Sequence, residues 1–412
     1  MDFSLTPEQK LLVKTVREFC EKNVDPIWVK MDEEKKMPVE IIEKLAELGI
    51  YGGVISEEYG GSASTFTDMV LAIEEISAHD PTLAISAVVG LSNSWPYMVQ
   101  LYGSDEVKGE LLPKITAGEA LLGIASTESQ SGTDLANIQR MKATKVDEKT
   151  WVIEGEKNIT SGGVLMERMA WGGGWFTLTR TAPLETKHKG LTDFIVMYRR
   201  GKEVTEGIKY SPYKHVGRHA LDSGSLVLEG VKVDDSYRVG EVNRGFYIAV
   251  EGFNLGRILI GASLLGGVRW LLKQGIEWIS TREVLGKTLS SYQGVTFELS
   301  KIYEELEATR LLVYKAAWLA DKLYIHKDPT VKALEVGIAG ATAKIKATKL
   351  AMNAAREVME WFGGMAYFTD MPLFRALLGA LAYSQGSEGA PKALRDMVAR
   401  SVIGGRISID IG

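Results

Sequence analysis

The 412-residue sequence predicts an α+β multidomain fold: a helical domain over 1–118, an antiparallel sheet or barrel over 119–236, and a helical bundle over 237–412. Apolar residues recur at three- and four-residue spacing in the first region and again, over longer stretches, in the last. Between them stand short β-rich runs separated by Gly, Asp, Lys and Pro clusters. No helix-length amphipathic stretch lies between these runs, so their strands pair antiparallel rather than through crossover helices. With 45% hydrophobic and 25% charged residues, the composition is that of an ordinary well-cored globular chain.

The first helix is announced by Thr6-Pro7-Glu8-Gln9: an N-cap hydroxyl, a proline in the first turn and a reciprocating Gln three residues on. Leu11, Leu12, Val16 and Phe19 form one apolar stripe, and Ile41, Ile42, Leu45 and Leu48 another. Breaks fall at Gly52-Gly53, at Tyr59-Gly60-Gly61-Ser62 and around Pro81. Strand composition then appears over 150–153, 175–179, 193–198 and 225–233. In the last region Val295, Leu299, Ile302, Leu306 and Val313 follow a helical stripe, and 330–362 is rich in Ala, Lys and Leu without a proline. Long helices joined by short loops read as a bundle.

Several functions are excluded. A net charge of −5 speaks against a nucleic-acid binder, which needs a basic face. The most apolar run, 258–268, is too short to cross a bilayer and ends at Arg269, so no membrane insertion is expected. Met1-Asp2-Phe3-Ser4 carries neither a basic region nor an apolar stretch, and the expected location is cytoplasmic. The single cysteine, Cys20, leaves no internal disulfide and no Cys-based zinc cluster. The glycines of Gly261-Ala262-Ser263-Leu264-Leu265-Gly266-Gly267 have phosphate-loop spacing, but Val268 stands where Lys is required, so they read as close helix packing. Gly172-Gly173-Gly174 reads as a tight turn or bulge. His215 and His219 are four apart, but a glycine separates them and no third ligand is near, so no metal is expected.

Chemistry concentrates elsewhere. Ala125-Ser126-Thr127-Glu128-Ser129-Gln130-Ser131-Gly132-Thr133-Asp134 gathers hydroxyls and backbone donors around one glycine, suited to a polar ring edge or a pyrophosphate, or equally to a solvated loop. It is followed by Gly155-Glu156-Lys157-Asn158-Ile159-Thr160-Ser161-Gly162-Gly163, by Phe253-Asn254-Leu255-Gly256-Arg257, and by Arg282 with Leu285-Gly286-Lys287 and Gln293. Glu360-Trp361-Phe362-Gly363-Gly364 and Gly386-Ser387-Glu388-Gly389-Ala390, leading to Ala399-Arg400, complete the series.

In this order, the motifs resemble the acyl-CoA dehydrogenase family from end to end. The resemblance implies an N-terminal helical domain, a middle β-barrel and a C-terminal four-helix bundle, with FAD as cofactor. Thr127 to Asp134 match the family's Thr-Glu-Pro-x-x-Gly-Ser-Asp, which assigns Thr127, Gly132 and Thr133 to the flavin ring and pyrophosphate. The segment holding Thr160 and Ser161 matches the family strand at the flavin edge. It is one residue shorter and lacks the family's aromatic, for which Trp171 is the candidate substitute. Arg282 and Leu285, with Gln293, Glu360, Gly363 and Gly364, match positions that reach the FAD of a neighbouring subunit. At least a homodimer, and by family habit a tetramer, is therefore implied.

The family's base matches Glu388, with Gly389 beside it. The other location that some members use for this carboxylate is Gly256, so it is vacant here. The resemblance implies α-proton removal by Glu388, transfer of the β-hydride to flavin N5, and electron delivery to an electron-transfer flavoprotein. Asn254 and Arg257 match positions along the CoA channel. The substrate expected is a saturated acyl-CoA and the product the trans-2-enoyl-CoA. The helix over 84–95 carries no charge, so a neutral acyl chain is expected, with Trp95 or Tyr97 as length stops. An oxygen-using flavoenzyme of the same fold (an acyl-CoA oxidase or flavin monooxygenase component) and a non-catalytic assembly or binding relative are the alternatives.

Overall fold

The computed structural model describes residues 4–408, so Met1–Phe3 of the leader reading lie outside it. Six helices come first: α1 Pro7–Asn23, α2 Trp28–Glu33, α3 Val39–Glu47, α4 Phe66–Ser77, α5 Ala84–Tyr102 and α6 Asp105–Thr116. The first is capped as its sequence requires. The Thr6 hydroxyl accepts from Gln9 N while the Gln9 side chain accepts from Thr6 N.

The strands follow: β1 Ala120–Ala125, β2 Lys142–Lys145, β3 Thr150–Ser161, then the short helix α7 Gly163–Arg168, β4 Gly172–Arg180, β5 Leu191–Arg200, β6 Glu203–Val204, β7 Ile208–Pro212, β8 Ser223–Asp234 and β9 Arg238–Val239. They form one sheet in the order β6-β5-β4-β2-β3-β8-β7, with β1 on β4 and β9 on β5. Two expectations are corrected. The sheet is open, because its outermost strands β6 and β7 do not pair. One is only two residues long, and the other ends in Pro212, which has no N–H to donate. Nor is it wholly antiparallel, since β1 and β2 both lie parallel to β4. Gly172-Gly173-Gly174 is a bulge, with positive φ at the first two and a register shift after Gly173.

The last region contains α8 Gly245–Thr281, a ribbon of β10 Glu283–Val284 and β11 Lys287–Thr288, and then α9 Gln293–Ala320, α10 Ala333–Phe362, α11 Leu373–Gln385 and α12 Pro391–Ile403. Helices α8, α9, α10 and α11 pack around a common core, and α12 lies against α10. Taken whole, α8 is long and apolar enough to cross a membrane, but 89% of its most apolar window is buried against the protein. It is the central strut, packing also on α4 and α5. Its glycines permit this: a Cβ at Gly266 would lie 2.2 Å from Glu74 O on α4, and one at Gly261 2.8 Å from Val313 on α9.

Candidate active site

A cavity of about 480 Å³ opens where the sheet, α5, α8 and the α11–α12 turn meet. One wall is the 126–134 segment. Glu128 anchors it from behind, accepting from the backbone N–H of Gln139, Arg140 and Met141 and pairing at 3.1 Å with the fully buried Lys157. Burial opposes ionisation of Glu128, but Lys157 and the three N–H groups hold its carboxyl below the usual range. With Glu128 turned inward, Thr127, Gly132 and Thr133 line the cavity.

The second wall is β3. Its register against β8 slips between Lys157 and Thr160, so the shortened segment is taken up by a bulge. Ile159 there has φ +59° and is 68% exposed, an unusual state for a β-branched residue, and it lines the cavity beside Asn158. Beyond the bulge the faces are set: Thr160 is buried with its hydroxyl unpartnered in the interior, whereas Ser161 faces the cavity and bonds Ser223 at 2.9 Å. Thr160 therefore does not reach the cavity, and Ser161 is the hydroxyl at the expected flavin edge. Trp171 does not line the cavity either, since its backbone is tied to Glu119 and its ring packs on the core. The residues present suit a flavin ring: hydroxyls on two walls, an open glycine at 132 and an exposed apolar surface at Ile159. Flavin, when bound, would be held by Thr127, Gly132, Thr133 and Ser161.

The third wall carries the acid. Glu388 stands in the turn between α11 and α12 at φ +51°, followed by Gly389 at φ +107°. Its backbone carbonyl accepts from Arg257 Nε at 2.8 Å, and Arg257 Nη1 donates to Asn254 Oδ1 at 2.6 Å. Asn254 thus orients Arg257 and does not itself line the cavity. Gly256 makes room for the acid, because a Cβ there would lie 2.8 Å from Glu388 Cγ. Burial raises the Glu388 pKa, while Lys344, Arg218 and Arg257 pull it down. Burial likewise lowers Arg257 to about 10 against the attraction of Glu388. No hydrogen bond reaches the Glu388 carboxylate among the described residues, so it is free to accept a proton from a ligand.

Other expectations separate. Trp95 is not a length stop: it is buried between Phe176 and Phe253, and Tyr97 packs on Phe66 and Tyr324. Helix α5 presents Ser86, Ala87, Gly90, Leu91 and Ser94 to the cavity instead. Arg282, Leu285, Gln293, Glu360, Gly363 and Gly364 lie apart from this cavity within one chain. Leu285 sits 91% exposed at the tip of the β10–β11 ribbon, and Arg282 lies over Trp278. His215 and His219 stack at 5.5 Å; the His219 backbone N–H donates to Asp32 Oδ1, and its ring nitrogens face the Asp32 carboxylate and the His215 carbonyl. No group of three metal-ligating residues occurs among the described residues. Lys344 and Arg218 were not anticipated. A lysine on the apolar stripe of α10 was the available signal for the first; nothing local marked the second.

Family models for the acyl-CoA dehydrogenase N-terminal, middle and C-terminal domains match residues 6–119, 123–231 and 243–403. The chain is 32% identical over 387 residues to a short-chain-specific acyl-CoA dehydrogenase of Megasphaera elsdenii, covering 92% of this chain and 94% of that one. The solved butyryl-CoA dehydrogenase of Megasphaera elsdenii superposes with TM-score 0.87 at 29% identity, covering 98% and 100% of the two chains. A structure described as the electron transferring flavoprotein of Acidaminococcus fermentans matches with TM-score 0.86 at 26% identity, over 97% and 99%.

Proposed function

The chain belongs to the acyl-CoA dehydrogenase family, and from that premise we propose that it oxidises a saturated, uncharged acyl-CoA to the trans-2-enoyl-CoA, with Glu388 as the α-proton base. The observation carrying this reading is an unbonded carboxylate, aimed into the cavity lined by Thr127, Thr133 and Ser161. Bound FAD would supply the acceptor for the β-hydride. The protein's own work is to orient and to take the proton. Arg257 fixes the backbone of Glu388, Gly256 leaves its side chain space, and the enclosing walls raise the carboxylate's basicity towards that of a weak carbon acid. The uncharged α5 wall suits a neutral acyl chain. The similarity to a relative named short-chain-specific favours a short one. An electron-transfer flavoprotein as electron acceptor and a cytoplasmic location accord with this reading. So does a homo-oligomer in which Arg282, Leu285, Gln293, Glu360, Gly363 and Gly364 serve a neighbour's FAD.

A second reading of the substrate rests on Arg218. Its guanidinium lines the same cavity, 5.4 Å from the Tyr383 ring; it faces Glu388, but no carboxylate lies within ion-pair distance of it among the described residues. It offers a site for an acyl group ending in an anion. Anaerobic titration of the flavin with neutral and carboxylate-ended acyl-CoAs, beside Glu388→Gln, tests both readings. Bleaching by neutral substrates in the wild type alone supports the first, and preference for the anionic set supports the second. A colourless protein that binds neither FAD nor acyl-CoA refutes the enzyme reading and favours an assembly protein. Peroxide formed in proportion to substrate under air points to the oxidase alternative.

A further inference from the structure

Lys344 lies on the apolar stripe of α10 with Gly337, Ala341, Thr348 and Ala351, and its side chain is completely buried. A buried ammonium is costly unless paired, yet no carboxylate lies within ion-pair distance of it among the described residues; Glu388 acts on it only through its field. Its hydrogen bond goes to Gly389 O at 2.7 Å. The carbonyls of Glu388 and Gly389 are therefore held by cations from two different helices, Arg257 on α8 and Lys344 on α10. They secure a turn in which both residues adopt positive φ, a conformation a glutamate rarely keeps unsupported. Because nothing bonds the carboxylate itself, its direction is set by the turn and by the space that Gly256 leaves on α8.

We propose that Lys344 is a positioning residue for the base: its ammonium ties the Gly389 carbonyl to α10 and so aims Glu388, and its charge favours the carboxylate form. The proposal rests on Glu388 being that base. The groups facing Glu388 are Lys344 from α10, Arg257 from α8, Arg218 from the loop before β8, and Tyr383 from α11. Burial brings Lys344 down to about 8, against the pull of Glu388, so it is the cation of this set most easily discharged. A neutral donor would satisfy a carbonyl equally well; what a lysine adds is the field at the acid.

The test compares wild type, Lys344→Met and Lys344→Arg by two readouts. One is the pH dependence of anaerobic flavin bleaching. The other is pH-difference infrared spectroscopy of the Glu388 carboxyl, assigned by its loss in Glu388→Gln, which needs no substrate. In Lys344→Met the carboxyl titration should move up by about one pH unit. Bleaching should fall at every pH as the base loses its aim, and by about tenfold more on the acid side than at high pH, and Lys344→Arg should restore both. An unmoved titration in Lys344→Met, or equal shifts in Met and Arg, overturns the proposal; so does a rate loss uniform in pH. If Lys344→Met does not fold, Lys344→Gln takes its place under the same criteria. A wild type that no acyl-CoA bleaches would sink the functional reading while the infrared shift still decides the role of Lys344.

Discussion

Gly256→Ala separates stability from chemistry at a single methyl group. A Cβ at that position would lie 2.8 Å from Glu388 Cγ and 3.4 Å from Cδ and Oε1. Carbon atoms rest comfortably at about 3.5–4.0 Å, so Glu388 must retreat by roughly 1 Å. The obstacle is the end of a side chain rather than backbone, so the helix need not move. Alanine is also favoured over glycine inside a helix by about 1 kcal/mol. The melting temperature should therefore stay level or rise slightly. The base, by contrast, loses its alignment, and a misplacement of this size costs on the order of a hundredfold in rate. Stopped-flow bleaching under anaerobic conditions, beside a thermal melt, reads both quantities. An alanine variant that bleaches at the wild-type rate would refute the placement of Glu388 against α8. The converse double variant, Gly256→Glu with Glu388→Gly, puts the carboxylate into the same space from the other side. It should bleach faster than Glu388→Gly alone.

The bleaching rate should fall with decreasing pH through a limb above the ordinary glutamate range: burial raises the Glu388 pKa, so the carboxylate is protonated, and the base lost, at a higher pH than an exposed glutamate would be. That limb should be absent from the residual rate of Glu388→Gln. Trp95→Ala should cost about 3–5 kcal/mol in denaturant unfolding, because the ring is buried between Phe176 and Phe253. Leu91→Phe, on the cavity wall, should instead shorten the acyl chains accepted and leave stability nearly unchanged. Leu285→Glu with Tyr367→Glu, at side chains 91% and 89% exposed, should reduce the mass seen by light scattering and weaken flavin retention. An unchanged mass would remove the neighbour-subunit reading of that surface.

Much of this architecture was legible because it is written locally. The Thr6–Gln9 capping box, the stripe of α9 and the proline-free run that becomes α10 each follow from periods and caps within a few turns of chain. The Glu388 segment was legible as an uninterrupted motif. Closure of the sheet was not: Pro212 weakens one edge, but whether β6 and β7 meet depends on all the strands between them. At Thr160 and Ser161 the shortened segment slips the pleat, and a one-residue slip exchanges the inner and outer faces of a strand. Helix α5 shows the same limit: an apolar sequence marks Trp95 and Leu91 alike, but only packing sends one into the core and the other to the cavity.

Taken by itself, the sequence determined the order of helices and strands and the chemical groups on offer: one carboxylate in the α11–α12 turn, a hydroxyl-rich segment before the sheet, and glycines spaced along α8. These are properties of neighbouring residues and of covalent side chains. Only the tertiary structure decided which groups meet. Arg257 and Glu388 are 131 residues apart, and Lys344 and Gly389 are 45 apart, yet each pair shares a hydrogen bond. The solvent-poor environment that makes Glu388 a stronger base, and the three cations that temper it, exist only once those distant helices have closed around it.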